Sequence, residues 1–161
     1  QKAVLTSMSI NHTKVLVTGA SGYIASHVVV ELLKTGYSVR GTVRSLKNEN
    51  KYRYISDIKA KFPQFCDKLE LVEADLLDAD SWDDAVLGCS HVMHVASPFF
   101  LTEPKNEDDL IKPAVDGTLN VLKSCARHGV NRVVLTSSAA AILTGQTESR
   151  LYTEEDWAIV G

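Results

Sequence analysis

Along the chain, short runs of apolar and β-branched residues alternate with longer stretches whose apolar residues return every three or four positions. The short runs cover 14–18, 38–43, 69–74, 91–95 and 132–136 and predict five strands of the kind found at the centre of a sheet. The longer stretches cover 22–35, 49–61, 81–87 and 107–128 and predict four helices, with Gly36 and Gly129 standing where two of them should end. Strands and helices in strict alternation predict an α/β domain with a doubly wound parallel sheet of about five strands. Ligands of such sheets bind beyond the carboxyl ends of the strands, which places the functional residues at 19–24, Arg44, Asp75, 95–98 and 136–138. Residues 97–107, which include Pro98 and Pro104, read as one long loop.

Composition narrows the setting. With 161 residues, 45% hydrophobic, 23% charged and a net charge of −3, the chain suits one globular domain over 14–161, preceded by a short leader at 1–13. The mildly acidic balance supplies no field that would gather nucleic acid or an anionic membrane surface. The longest apolar runs, such as 28–30 and 139–143, fall far below the roughly 20 residues of a membrane span. Cys66, Cys89 and Cys125 are odd in number and contain no CxxC pair, so reduced thiols and a cytoplasmic location are expected. His91 and His94 do not make a metal pair, because residues three apart on a strand point to opposite faces.

The first helix opens with Gly19-Ala20-Ser21-Gly22-Tyr23-Ile24-Ala25, a G-x-x-G-x-x-A turn directly after a strand. Gly19 permits a tight turn, Gly22 lets the backbone approach a pyrophosphate, and small Ala25 lets helix and strand pack closely. The helix start adds unpaired N–H donors, and Ser21 adds a hydroxyl. No Gly-Lys-Ser/Thr follows, which argues against a phosphate-loop NTPase. Strand two ends in "VRGTVRS" rather than in a carboxylate, so Arg44 is placed to stack on adenine and pair with a 2′-phosphate, favouring NADP over NAD. Lys47 reads as a solvated lysine, and Arg40 lies too far from the ligand end to belong to the site. In "VEADLLD", Asp75 is a candidate acceptor for the adenine amino group, or else a loop carboxylate, with Leu76 beside it. In "HVASPF", small Ala96 and Ser97 would let the backbone come close to the cofactor's ribose and pyrophosphate, with Val95 before them also in the expected cofactor set. Tyr23 and Ile24 complete the expected cofactor contacts.

These segments, with "PAVDGTLNVLKSC" and "VVLTSSAAAI", resemble in order and spacing the amino-terminal half of the extended short-chain dehydrogenase/reductases, a Rossmann-type family. Within it they most resemble the branch of dihydroflavonol 4-reductase, anthocyanidin reductase and cinnamoyl-CoA reductase. The resemblance implies an NADP(H)-dependent carbonyl reductase acting on a small carbonyl or alcohol substrate, flavonoid-like or aromatic. It places Arg44 and Lys51 around the 2′-phosphate and makes Ser138 the catalytic serine. It also implies a homodimer through the 107–128 helix. Ala114 stands where sugar-nucleotide epimerases of the wider family tend to carry asparagine. The family's tyrosine, with lysine four residues later, is missing: after Ser138 the only tyrosine is Tyr152, followed at that spacing by Asp156. Tyr152 is therefore not the expected proton donor, and the chain is expected to be the cofactor-binding part of a longer reductase, inactive alone. The alternatives are a non-catalytic dinucleotide-binding module and a fragment of a sugar-nucleotide epimerase or hydroxysteroid dehydrogenase.

Overall fold

The computed structural model describes residues 13–47, 52–98, 104 and 106–159. Five strands, β1 (Lys14–Val17), β2 (Ser38–Val43), β3 (Leu69–Glu73), β4 (His91–His94) and β5 (Arg132–Leu135), form one sheet in the order β3-β2-β1-β4-β5. Every pairing is parallel. The helices are α1 (Tyr23–Lys34), α2 (Arg53–Lys61), α3 (Ser81–Val86), α4 (Asp108–Arg127) and α5 (Ala140–Leu143). A 3-10 turn at Pro63–Lys68 and the short α5 are additions to the predicted set.

Alternation along β1 divides the core in two. Val15 and Val17 face α1 and α2, meeting Ala25, Val29, Leu33, Ile55 and Ile58. Leu16 faces the other way, onto Trp82, Val86, Val92, Val121 and Cys125 of α3, β4 and α4. Burial of these side chains, at about 25 cal/mol per Å² of apolar surface, is what turns the periodic pattern into a layered fold. Both glycines expected at helix ends act there. Gly36 N–H donates to Leu33 and Tyr37 N–H to Leu32, while Gly129 N–H donates to Ala126 and Val130 N–H to Cys125. These are the paired bonds of a glycine-closed helix end.

β3 and β5 are the two edges of the sheet; the apolar run of β3 predicted a central strand, whereas an edge was expected for the fifth strand. β5 carries the consequence, with Val134 49% and Leu135 50% exposed. A short apolar run looks the same in the sequence whether its second neighbour is present or not. At the amino end of the sheet, Arg40 donates to the carbonyls of Ala85 and Leu87 at 2.9 and 2.7 Å and to Glu70 at 2.6 Å. It closes the end of α3, far from the strand ends where ligands would bind.

Gly41 positions the glycine turn. A Cβ there would stand 2.6 Å from the Ala20 Cβ and 3.0 Å from Leu71 Cδ2, so β2 presses directly on the turn after β1. Gly41→Ala is expected to lower stability by about 1–3 kcal/mol through overpacking, measured by denaturant unfolding. An unchanged midpoint would show that the turn yields freely.

Candidate functional site

The chain leaves β1 for β2 on one side and returns from β3 to β4 on the other, so the carboxyl ends of β1 and β4 diverge into a crevice. A cleft of about 660 Å³ opens there. Its floor is the glycine turn, with Gly19, Ser21, Gly22, Tyr23 and Ile24. Arg44 stands on one wall, Asp75 and Leu76 on the next, and Val95, Ala96 and Ser97 on the last. The described residues of the expected cofactor set thus share one cavity; Lys51 lies outside the described residues.

Gly19 has φ +63°, and a Cβ on it would come within 2.9 Å of the Ala96 Cβ. Two backbones therefore approach as closely as side chains permit, and the floor stays open. The turn is tied by Gly22 N–H to Gly19 O at 2.8 Å and by Gly19 N–H to Thr42 Oγ1 at 3.0 Å. Helix α1 then starts at Gly22 with no capping side chain and no acidic residue in its first turn. An uncapped helix start aimed into a cleft is an anion site in waiting. Asp75 is partly committed: one carboxylate oxygen accepts the Leu77 N–H at 2.9 Å, and its carbonyl accepts the Trp82 indole N–H at 2.8 Å. The loop-carboxylate alternative therefore accounts for one of its two oxygens. Thr42, Leu77, Trp82 and Pro98 also line the cleft. Trp82 is reached only through the fold, since its helical spacing marks it as core, where it is 1% exposed.

A model of the NAD dependent epimerase/dehydratase family matches residues 15–157. The chain belongs to that family. Similar proteins place it in the dihydroflavonol-reductase-like branch of the extended short-chain dehydrogenase/reductases. A bifunctional dihydroflavonol 4-reductase/flavanone 4-reductase of Malus domestica is 40% identical over 147 residues, covering 91% of this chain and 41% of that protein. Vestitone reductase from alfalfa superposes with a TM-score of 0.73 at 32% identity, over 91% of this chain and 43% of that one. Gre2 from Candida albicans, in complex with NADPH, gives 0.76 at 35% identity, over 92% and 45%. The chain thus spans less than half the length of these relatives.

Ser138, the family-type serine, lies past the end of β5, exposed and one strand beyond the cleft walls. Its Oγ accepts the Ala140 N–H at 3.2 Å, which leaves the hydroxyl proton free to be donated. Tyr152 is engaged elsewhere: its phenol donates to the Glu148 carbonyl at 2.7 Å, and the Arg150 guanidinium lies 4.2 Å from its ring centre. Among the described residues no cluster of His, Cys, Asp and Glu is arranged to hold a metal ion.

Two residues that the motif reading passed over bind the cleft together. Thr18 Oγ1 accepts the N–H groups of Val95 and Ala96 at 3.0 and 2.9 Å and lies 2.9 Å from His94 Nδ1. With two donors already pointing at its oxygen, the hydroxyl must give its single proton to Nδ1. His94 is therefore neutral, with its own proton on Nε2, which is buried and has no partner among the described residues. Burial holds its pKa below the ordinary 6.5. In the unfolded chain the ring takes up a proton near that value, so stability is full above it and is lost as pH falls through the depressed folded value. Between about pH 7.5 and about pH 5.5, wild type should lose more stability in urea than His94→Gln does. Equal losses would contradict a buried neutral His94.

Proposed function

We propose that this chain is the cofactor-binding part of an NADPH-dependent carbonyl reductase whose substrate is a ketone or aldehyde of flavonoid-like or aromatic type. The observation that carries the reading is Arg44 on the wall of the same cleft whose floor is the uncapped start of α1. A pyrophosphate suits the N–H groups of the turn, and a guanidinium at the end of β2 suits a 2′-phosphate that a carboxylate there would repel. Asp75 has one carboxylate oxygen to offer the adenine amino group, and Ala96 and Ser97 present backbone without bulk along the far wall, beside Val95. Bound NADPH would supply a hydride to the carbonyl carbon. Ser138 would donate its proton in a hydrogen bond to the carbonyl oxygen as charge develops there. Ala114 supports a reductase over a sugar-nucleotide epimerase.

The 161 residues hold no tyrosine followed four positions later by lysine, so this chain alone should bind cofactor and turn over little. The same fact supports the second reading, a dinucleotide-binding module without catalysis. Exposed Ile111, Val115 and Leu119, four residues apart along α4, support the homodimer implied for this helix. Among the described residues no helix is long and apolar enough to cross a membrane. Cys66, Cys89 and Cys125 are all free thiols, Cys66 exposed and the other two buried, which supports a reducing, cytoplasmic setting.

Calorimetric titration tests the cofactor reading. The chain should bind NADPH more tightly than NADH, and Arg44→Ala should weaken NADPH by about tenfold or more and NADH, which loses only the adenine contact, by much less. Equal affinities for the two cofactors would overturn it.

A further inference from the structure

The loop that carries Arg44 is held from an unexpected side. Glu73 is the last residue of β3 and stands opposite Val43 in the register of the sheet, one residue before Arg44. Its Oε1 accepts the Leu46 N–H at 2.5 Å, and the Leu46 carbonyl accepts the Tyr52 phenol at 3.0 Å. The Leu46 peptide is thus gripped at both ends, and the Lys47 N–H is turned back onto Ser45 Oγ at 3.2 Å. These bonds fix the backbone within two residues of Arg44, a long side chain that would otherwise sample many directions in solvent.

A carboxylate beside a site for a 2′-phosphate calls for an explanation, because by charge alone it opposes the ligand. We propose that Glu73 is a positioning residue that sets the preference for a 2′-phosphate, by anchoring the Leu46 peptide so that the Arg44 guanidinium faces the cleft. This rests on the assignment of Arg44 to the 2′-phosphate. The carboxylate opposes the phosphate over a longer range and in solvent, whereas the anchored guanidinium meets it directly with a charge-assisted hydrogen bond. The anchor therefore outweighs the repulsion. Tyr52, from the turn before α2, completes the grip.

Calorimetry with adenosine 2′,5′-bisphosphate and with AMP separates the two effects, since the probes differ only in the 2′-phosphate. Glu73→Ala should weaken the bisphosphate by about threefold to tenfold and leave AMP unchanged. Retained AMP binding also shows that the variant is folded. Glu73→Gln keeps an acceptor for Leu46 and removes the charge, so it should bind the bisphosphate as tightly as wild type or more tightly. Tyr52→Phe should weaken the bisphosphate alone, by less than Glu73→Ala. If Glu73→Ala binds the bisphosphate as well as or better than wild type while Arg44→Ala loses it, Glu73 acts only as a repelling charge and the anchor is overturned. If Arg44→Ala weakens the two probes equally or leaves the bisphosphate unaffected, the assignment of the 2′-phosphate falls and the anchor falls with it.

Discussion

A single threonine hydroxyl joins the two strands between which the cleft opens. Thr18 Oγ1 accepts two N–H groups from just past the end of β4 and donates its O–H to His94 Nδ1, so three hydrogen bonds meet on one hydroxyl at the carboxyl edge of the sheet. Directly beyond it Gly19 turns at positive φ against Ala96. If β1 and β4 parted there, Gly19 would lose its contact with Ala96 and the floor would lose its shape. The cost of leaving a buried N–H without a partner, about 1–3 kcal/mol for each, makes this junction stiff. The glycine turn, the uncapped start of α1 and the wall at Val95–Ser97 all take their places from it.

Electrostatics then divides the cleft between unlike tasks. The floor offers backbone N–H groups and no acidic side chain, which is a place for an anion of low specificity. Arg44 lines one wall, and the two carboxylates nearby, Glu73 and Asp75, each accept a backbone N–H. Glu73 holds Leu46, and Asp75 holds Leu77. An exposed carboxylate seen only in the sequence would count against an anion site; in the fold it helps to build one. At the edge, β5 carries half-exposed Val134 and Leu135, and the relatives that this chain matches are more than twice as long.

Much of this was legible in the sequence because two periodicities, two and 3.6, are local properties of the chain. The five strands and four long helices stand within a few residues of their predicted bounds, apart from the start of α2, which begins beyond residues outside the described set. The glycine turn was legible because its spacing is a steric requirement, visible without knowing what lies opposite. What the sequence concealed depends on partners far along the chain. Thr18 and His94 are 76 residues apart, and Glu73 lies 27 residues beyond Leu46. In the sequence His94 is legible only as a strand residue that makes no metal pair with His91, and the pairing of β1 with β4 shows which of its nitrogens carries the proton. The edge position of β3 was hidden for the same reason: strand order is decided by crossovers and not by composition.

The central claim is that the start of α1 receives the phosphates of a nucleotide whose far end is read by Arg44. The most direct measurement is a ¹H–¹⁵N titration of the labelled chain with NADPH, following each backbone amide. The account predicts that the amides of Ser21, Gly22, Tyr23 and Ile24 shift most, joined by Ser45 and Ala96, while those of the amino end of β3 and the far end of α1 stay in place. Shifts gathered on the exposed face of β5 or along α4, with the glycine turn unmoved, would contradict it.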